Sequence, residues 1–191
     1  MRYSFLLLSL LTTLAGQAQS PSATRYKLLV DKGHSTVTYT MKHPMHTWDG
    51  VSHDVNGAMI YNSANKQVEN VALVIKVASF DTKNANRDSH AIEVLDGIKY
   101  PTVTFTSQDI RPNASGGLTA KGKLTFHGVT RPLQVDLTRQ DTNDGFLFDG
   151  TFPVSLTDYK IEKPSLMMVP VEDVMTMKFS LYFKSTTPMT N

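Results

Sequence analysis

Cysteine is absent from the 191 residues. That one absence removes disulfides, thiolate zinc sites, iron–sulfur clusters, covalent haem attachment and a cysteine nucleophile. Charge of one sign is also lacking. Nineteen lysines and arginines face 17 aspartates and glutamates, a formal net charge of +2, which supplies no field for holding DNA or RNA. Glycine (11) and proline (9) occur at ordinary frequency, so collagen-like and low-complexity readings fail. No Gly-x-Ser-x-Gly elbow, phosphate-binding loop or dinucleotide fingerprint occurs. What is present is 40% hydrophobic and 19% charged residues, the profile of one globular domain with a real core.

The N-terminus reads as an address. Arg2 supplies a positive start, residues 5–14 are apolar apart from Ser and Thr, and Ala15-Gly16-Gln17-Ala18 ends the run on small residues. This is the pattern of a secretory signal peptide over residues 1–18, cut after Ala18. The run is too short to span about 30 Å of hydrocarbon, and no later segment is long and apolar enough for stable membrane insertion. The product is expected in the periplasm or outside the cell, with a polar, flexible lead over residues 19–25.

Beyond that lead a period of two dominates. Val37, Tyr39 and Met41 alternate with threonines; Val71, Leu73, Ile75 and Val77 form a second run; Val103 and Phe105 form a third. Leu118, Ala120, Gly122, Leu124 and Phe126 follow, then Leu133, Val135 and Leu137, and last Met175, Met177, Phe179, Leu181 and Phe183. Such alternation means antiparallel strands with one apolar and one wet face. Asn62-Ser63-Ala64-Asn65, Ser115-Gly116-Gly117, His127-Gly128 and Asn143-Asp144-Gly145 stand where hairpins need turns. Residues 84–96 break the pattern: Ala91, Ile92 and Leu95 recur at helical spacing and Asp96-Gly97 supplies a stop. Residues 159–170 hold two prolines, lack alternation and read as a loop or edge excursion. The expected fold is all-β, with one short helix, as a closed barrel or a sandwich. A final strand of about eleven residues at ~3.4 Å each spans roughly 37 Å, long enough for a tubular cavity.

Several words in the chain stand in a telling order. His34-Ser35-Thr36-Val37 is followed by Ser79-Phe80-Asp81-Thr82, Arg87-Asp88-Ser89-His90, Lys99-Tyr100-Pro101-Thr102-Val103-Thr104-Phe105, and a run from Gly122 through Phe126-His127-Gly128 to Arg131-Pro132. Together they resemble the YceI-like family of bacterial secreted lipid-binding proteins, over about residues 26–184, with residues 185–191 as a tail. The resemblance implies an elongated antiparallel lipocalin-like β-barrel. It also implies a buried polyisoprenoid, isoprenoid quinone or fatty-acid-like lipid, held as cargo for transport or storage. On this reading the protein is no enzyme and needs no cofactor. Two segments depart from the family's pattern. Residues 42–48 read as a longer, histidine-rich loop, and residues 155–162 lack the arginine and glycine of the family's Arg-x-x-[FW]-G-type segment.

The inward, ligand-facing set expected from the alternation is Val37, Tyr39, Met41, Met59, Phe105, Leu124, Phe126, Phe148, Met177 and Phe179. The competing reading has these side chains meet in the middle and leave no cavity. Arg87, Asp88 and His90 are expected at the cavity mouth, to orient a quinone oxygen or a phosphate. Alternatively, Asp88 caps or pairs and Arg87 clips the helix to a strand. His43, His46 and His53 are the candidates for a metal site, with His90, Asp49 or Asp54 as further ligands. A hydrolase built on Asp88 and His90 is the remaining alternative. His127 is assigned to turn bonding, and Trp48, the single tryptophan, to a loop anchor on the barrel end.

Overall fold

The computed structural model describes residues 24–187. The signal segment, the cut after Ala18 and the last residues of the tail lie outside them. Each alternating run falls in a strand, and further strands join them: β1 (Arg25–Val30), β2 (Thr36–His43), β3 (His46–Ser52), β4 (Val55–Asn62) and β5 (Gln67–Lys76). Helix α1 (Ala85–Val94) intervenes, followed by β6 (Thr102–Pro112), β7 (Leu118–Phe126), β8 (Val129–Asp141) and β9 (Gly145–Ser155). The short pair β10 (Ser165–Leu166) and β11 (Val169–Pro170) precedes the long β12 (Val174–Ser185).

All pairings are antiparallel, and the sheet closes because β12 meets both β9 and the β1–β2 pair. On one edge β12 pairs with β9 from Val174↔Ser155 to Lys184↔Gly145. Its other edge is shared by β2 and β1, two pieces of one strand broken by a 3-10 turn at Lys32–His34. There Asp31 Oδ1 accepts the Gly33 N–H at 2.9 Å. β3 and β4 are likewise one strand broken at residues 53–54. The result is an eight-stranded closed barrel with one helix. At 12 residues, β12 runs the height of the wall, about 40 Å at ~3.4 Å per residue.

The barrel has one sealed and one open end. At the sealed end, Tyr61, Phe146, Phe148 and Phe183 make a ladder of ring contacts with centroids 4.7, 6.2 and 5.8 Å apart. Arg139 lies across its base, 4.1 Å from the Phe146 centroid and 5.3 Å from that of Tyr61, held by Asp141 at 2.7 and 2.9 Å. The open end carries the β2–β3 and β7–β8 turns and both long crossovers, β5–α1–β6 and β9–β10–β11–β12. α1 starts where Asn84 accepts the Arg87 N–H at 3.1 Å. It stops as expected: Asp96 turns left-handed (φ 48°), and the Gly97 N–H closes onto Ile92 O at 2.8 Å.

Three expectations are corrected. Residues 42–48 are no long loop but the facing ends of β2 and β3 around a tight turn at Pro44-Met45, in register as Met41↔Trp48 and His43↔His46. The run looks irregular because histidines take the inward positions that apolar residues hold elsewhere. Trp48 therefore sits in a strand and not in a loop. Arg25 belongs to β1 and not to a flexible lead, because it pairs with Asn62 of β4, and Glu69 also holds its guanidinium at 2.7 and 3.1 Å.

Candidate functional site

The barrel interior is not filled. A cavity of about 570 Å³ lies between two apolar clusters, one at the sealed end around Leu28, Met59 and Phe148, the other toward the mouth around Met41, Phe126 and Met175. Such a volume is ordinary for a small-molecule site. Two cross-strand pairs help keep it open. Tyr39 lies against its register partner Gly50, and Phe179 against Gly150. A Cβ built on Gly50 would stand 2.2 Å from the Tyr39 ring, and one on Gly150 would stand 2.4 Å from the Phe179 ring. Only glycine lets these rings lie along the wall.

Every residue of the expected inward set lines this cavity: Val37, Tyr39 and Met41 on β2; Met59 on β4; Phe105 on β6; Leu124 and Phe126 on β7; Phe148 on β9; Met177 and Phe179 on β12. Arg87, Asp88 and His90 line it from α1. The reading in which the side chains meet and leave no space is overturned by the cavity itself. Among the lining residues missed by sequence reasoning are Phe80, Trp48, Phe152, Val154, Leu156, Ile161 and Val171, together with Ala91, Val94 and Leu95 of the expected helix. Phe152 and Val154 continue the period of Phe146 and Phe148, and Gly150 hides that continuity. Leu156, Ile161 and Val171 lie in irregular chain and carry no periodic signal.

Polar groups gather at the mouth, where α1 meets β2 and β3. Buried Thr82 is the hub. Its N–H and Oγ1 donate to Asp88 Oδ1 at 3.1 and 2.6 Å. Arg87 Nε donates to Thr82 Oγ1 at 2.9 Å and Nη2 to Thr82 O at 3.1 Å. The Arg87 guanidinium also lies 5.2 Å from the centroid of the Trp48 ring. Arg87 and Asp88 therefore clip the helix while bordering the cavity. Tyr39 stands beneath them, 5.4 Å from Phe80 between ring centroids. Burial pushes its phenol above the ordinary tyrosine value, against an opposing hydrogen bond from Trp48. The group stays protonated and offers the lumen a hydrogen-bond donor.

The histidines do not converge. His43 is buried, with both ring nitrogens committed: Nδ1 accepts the Met45 N–H at 3.2 Å, so Nε2 carries the proton and donates to Val169 O at 3.0 Å. His46 packs between His43 and Trp48, with ring centroids 5.4 and 5.0 Å away. His53 lies at the break between β3 and β4, where Nδ1 donates to Ser35 O at 3.2 Å. Among the described residues no group of three or more His, Asp or Glu could hold a metal ion. The hydrolase pair is not assembled either. Asp88 Oδ1 is taken by Thr82, and His90 Nδ1 lies 3.6 Å from Glu93. His127, expected to bond its own turn, instead bonds Tyr159 O through Nδ1 at 3.1 Å, joining the β7–β8 turn to the β9–β12 crossover.

The YceI-like domain matches residues 28–183. A UPF0312 protein of Yersinia enterocolitica is 33% identical over 153 residues, covering 75% of this chain and 79% of its own. One from Pectobacterium carotovorum is 30% identical over 160 residues, covering 78% and 82%. The crystal structure of Burkholderia cenocepacia BcnA superposes with a TM-score of 0.72 at 24% identity, over 80% of this chain and 98% of that one. A polyisoprenoid binding domain from Saccharophagus degradans, implicated in plant cell wall breakdown, gives 0.64 at 14% identity, over 83% and 98%. Closed barrel, interior cavity and sequence match agree, and the chain belongs to the YceI-like family.

Proposed function

We propose that this chain binds and sequesters a long apolar ligand in the barrel interior, as a carrier or store, after export and removal of residues 1–18. The ligand class is a polyisoprenoid, an isoprenoid quinone or a fatty-acid-like lipid. The observation that carries this reading is the cavity of about 570 Å³, apolar along its length and polar only at one end. Each buried ligand CH₂ contributes about 0.8 kcal/mol, so a five-carbon isoprene unit contributes a gross ~4 kcal/mol. A few units offset the cost of association and ordering. Polar recognition is then needed for orientation alone, and Tyr39, Trp48 and Arg87 stand where a head group would sit. The relative from Saccharophagus degradans, named for polyisoprenoid binding, supports the same class. The chemistry of the cargo stays with the cargo, and the protein acts as a binder and not as an enzyme.

The test is purification from a bacterial periplasm without detergent, followed by native and denaturing mass spectra and solvent extraction. A native mass excess that disappears on extraction, with a prenyl or acyl compound recovered, is expected. Trp48, the single tryptophan and a lining residue, is expected to be quenched on titration with a prenylated quinone. An apo mass together with unquenched Trp48 overturns the reading. Gly150→Ala provides a graded check. Its Cβ displaces the Phe179 ring toward the lumen, at about 1–3 kcal/mol of overpacking. The extracted compounds should shift to shorter chains.

A further inference from the structure

The four most exposed large apolar side chains among the described residues are Ile98 and Met168, each 98% exposed, Met167 at 78% and Met45 at 66%. All four lie at the open end. Met45 is in the β2–β3 turn, Met167 and Met168 are the β10–β11 turn, and Ile98 follows α1. None of them lines the cavity. Met45 and the β10–β11 pair are tied together through buried His43, which accepts the Met45 N–H and donates to Val169 O. The β2–β3 and β10–β11 tips are therefore presented together, and Ile98 lies at the same end of the barrel.

The Met167–Met168 turn breaks a local rule. Both residues hold left-handed φ, 52° and 64°, the geometry of a two-residue hairpin turn that favours Asn-Gly. A side chain with a Cβ is disfavoured there by roughly 1–2 kcal/mol per residue. Folding asks for Asn-Gly, water asks for polar groups, and the chain has two methionines. Local conflicts of this kind mark functional positions. Methionine is also the residue that adapts to irregular apolar surroundings. Charges beside the tips are mixed: Asp96 and Lys99 flank Ile98, Glu162 neighbours Lys163, and the Glu172 N–H donates to Lys42 O. No electrostatic selection for an acidic or basic partner is built in.

We infer that the open end docks on the surface of a lipid bilayer, inserting Met45, Ile98, Met167 and Met168 into the acyl boundary so that cargo passes between membrane and cavity without crossing water. The inference rests on the lipid-binding reading for its purpose, and on the exposed tips for its geometry. The inserted tips then bring the bilayer surface up to the open end of the cavity. Because the rim charges balance, docking depends weakly on salt and on anionic lipid.

The experiment uses the chain purified after export, alongside Met45→Ser/Ile98→Ser/Met167→Asn/Met168→Gly. The Asn-Gly replacement suits the turn, so the variant's thermal midpoint should hold or rise. Flotation of cargo-free protein with phosphatidylcholine vesicles, with and without phosphatidylglycerol, reads docking whatever the cavity holds. Wild type is expected to float at least fivefold more than the variant, equally on both compositions. Next, anthroyloxy-stearic acid is loaded and its transfer to vesicles is timed. The wild-type rate should rise with vesicle concentration and fall at least tenfold in the variant, while the equilibrium affinity for the probe stays the same. Flotation unchanged in the variant, or a transfer rate independent of vesicle concentration, overturns docking and leaves the tips to a protein partner or a second copy. Failure of wild type to bind any apolar probe defeats the cargo reading instead, and flotation still decides the docking.

Discussion

Met177→Arg is expected to abolish retention of an apolar ligand, lowering affinity by at least a thousandfold, about 4 kcal/mol at 1.4 kcal/mol per decade. Met177 stands at the waist of the barrel, in register with Tyr39 on one side and Phe152 on the other, and packs against both apolar clusters. Asp88 is the one carboxylate among the described cavity-lining residues, and its Oδ1 already accepts from Thr82. A guanidinium at the waist must draw water into the lumen, because an unpaired dry charge costs several kcal/mol. Water held at the waist then blocks any chain long enough to reach the sealed end. The same hydration softens the damage to the fold, expected as a loss of ~2–4 kcal/mol in denaturant unfolding. Met177→Leu is the matched control: it conserves volume and should keep both fold and ligand. The checks are Trp48 quenching by a prenylated quinone and solvent extraction of the purified variant. A folded Met177→Arg protein at full ligand occupancy would show that the tube is not the site.

Legibility in the sequence followed the alternation closely and stopped where inward positions were filled by unusual residues. β2, β5, β6, β7, β8 and β12 were readable because their inward residues are mostly apolar at every second place. β9 was not read as a run, and only its Phe148 was placed inward, because Gly150 takes an inward position so that Phe179 can lie on it. The β2–β3 hairpin was read as a loop because its inward positions at the mouth are His43 and His46. Arg139 is the sharpest case. It continues the inward series Leu133, Val135, Leu137 to the end of β8, yet its charge reads as an outward residue. Phe146 lies just across the β8–β9 hairpin, but its other aromatic partner, Tyr61, comes from distant β4, and no local pattern announces that contact. The cavity had the same status. Alternation assigns faces, but empty volume depends on strand number and on where rings lie. The helix clip, by contrast, is local: Thr82 reaches Arg87 and Asp88 within six residues, and such short-range polar words are readable.

That clip is expected to control access to the cavity. No residue of α1 is fully buried, so apolar packing alone seats the helix weakly, and the polar anchor at its first turn carries much of the closure. Asp88→Ala removes the acceptor of both the Thr82 N–H and the Thr82 hydroxyl. Leaving such groups unpaired at a part-buried site costs about 1–3 kcal/mol. It also removes a carboxylate from the positive end of the helix and loosens Thr82, which holds Arg87 over Trp48. Because the barrel closes without α1, the loss falls on local opening and not on global unfolding. Ligand dissociation should therefore speed up by about ten- to a hundredfold, while the global unfolding midpoint moves little. Hydrogen exchange should show the α1 amides losing protection by a similar factor, with those of β7 and β12 unchanged. Asp88→Asn keeps an acceptor oxygen and loses the charge, so it should fall between wild type and Asp88→Ala. Dissociation and α1 exchange both unchanged in Asp88→Ala would assign the seating of the lid to Val94 and Leu95, at the far end of the helix, and the polar words at its start would be reduced to a cap.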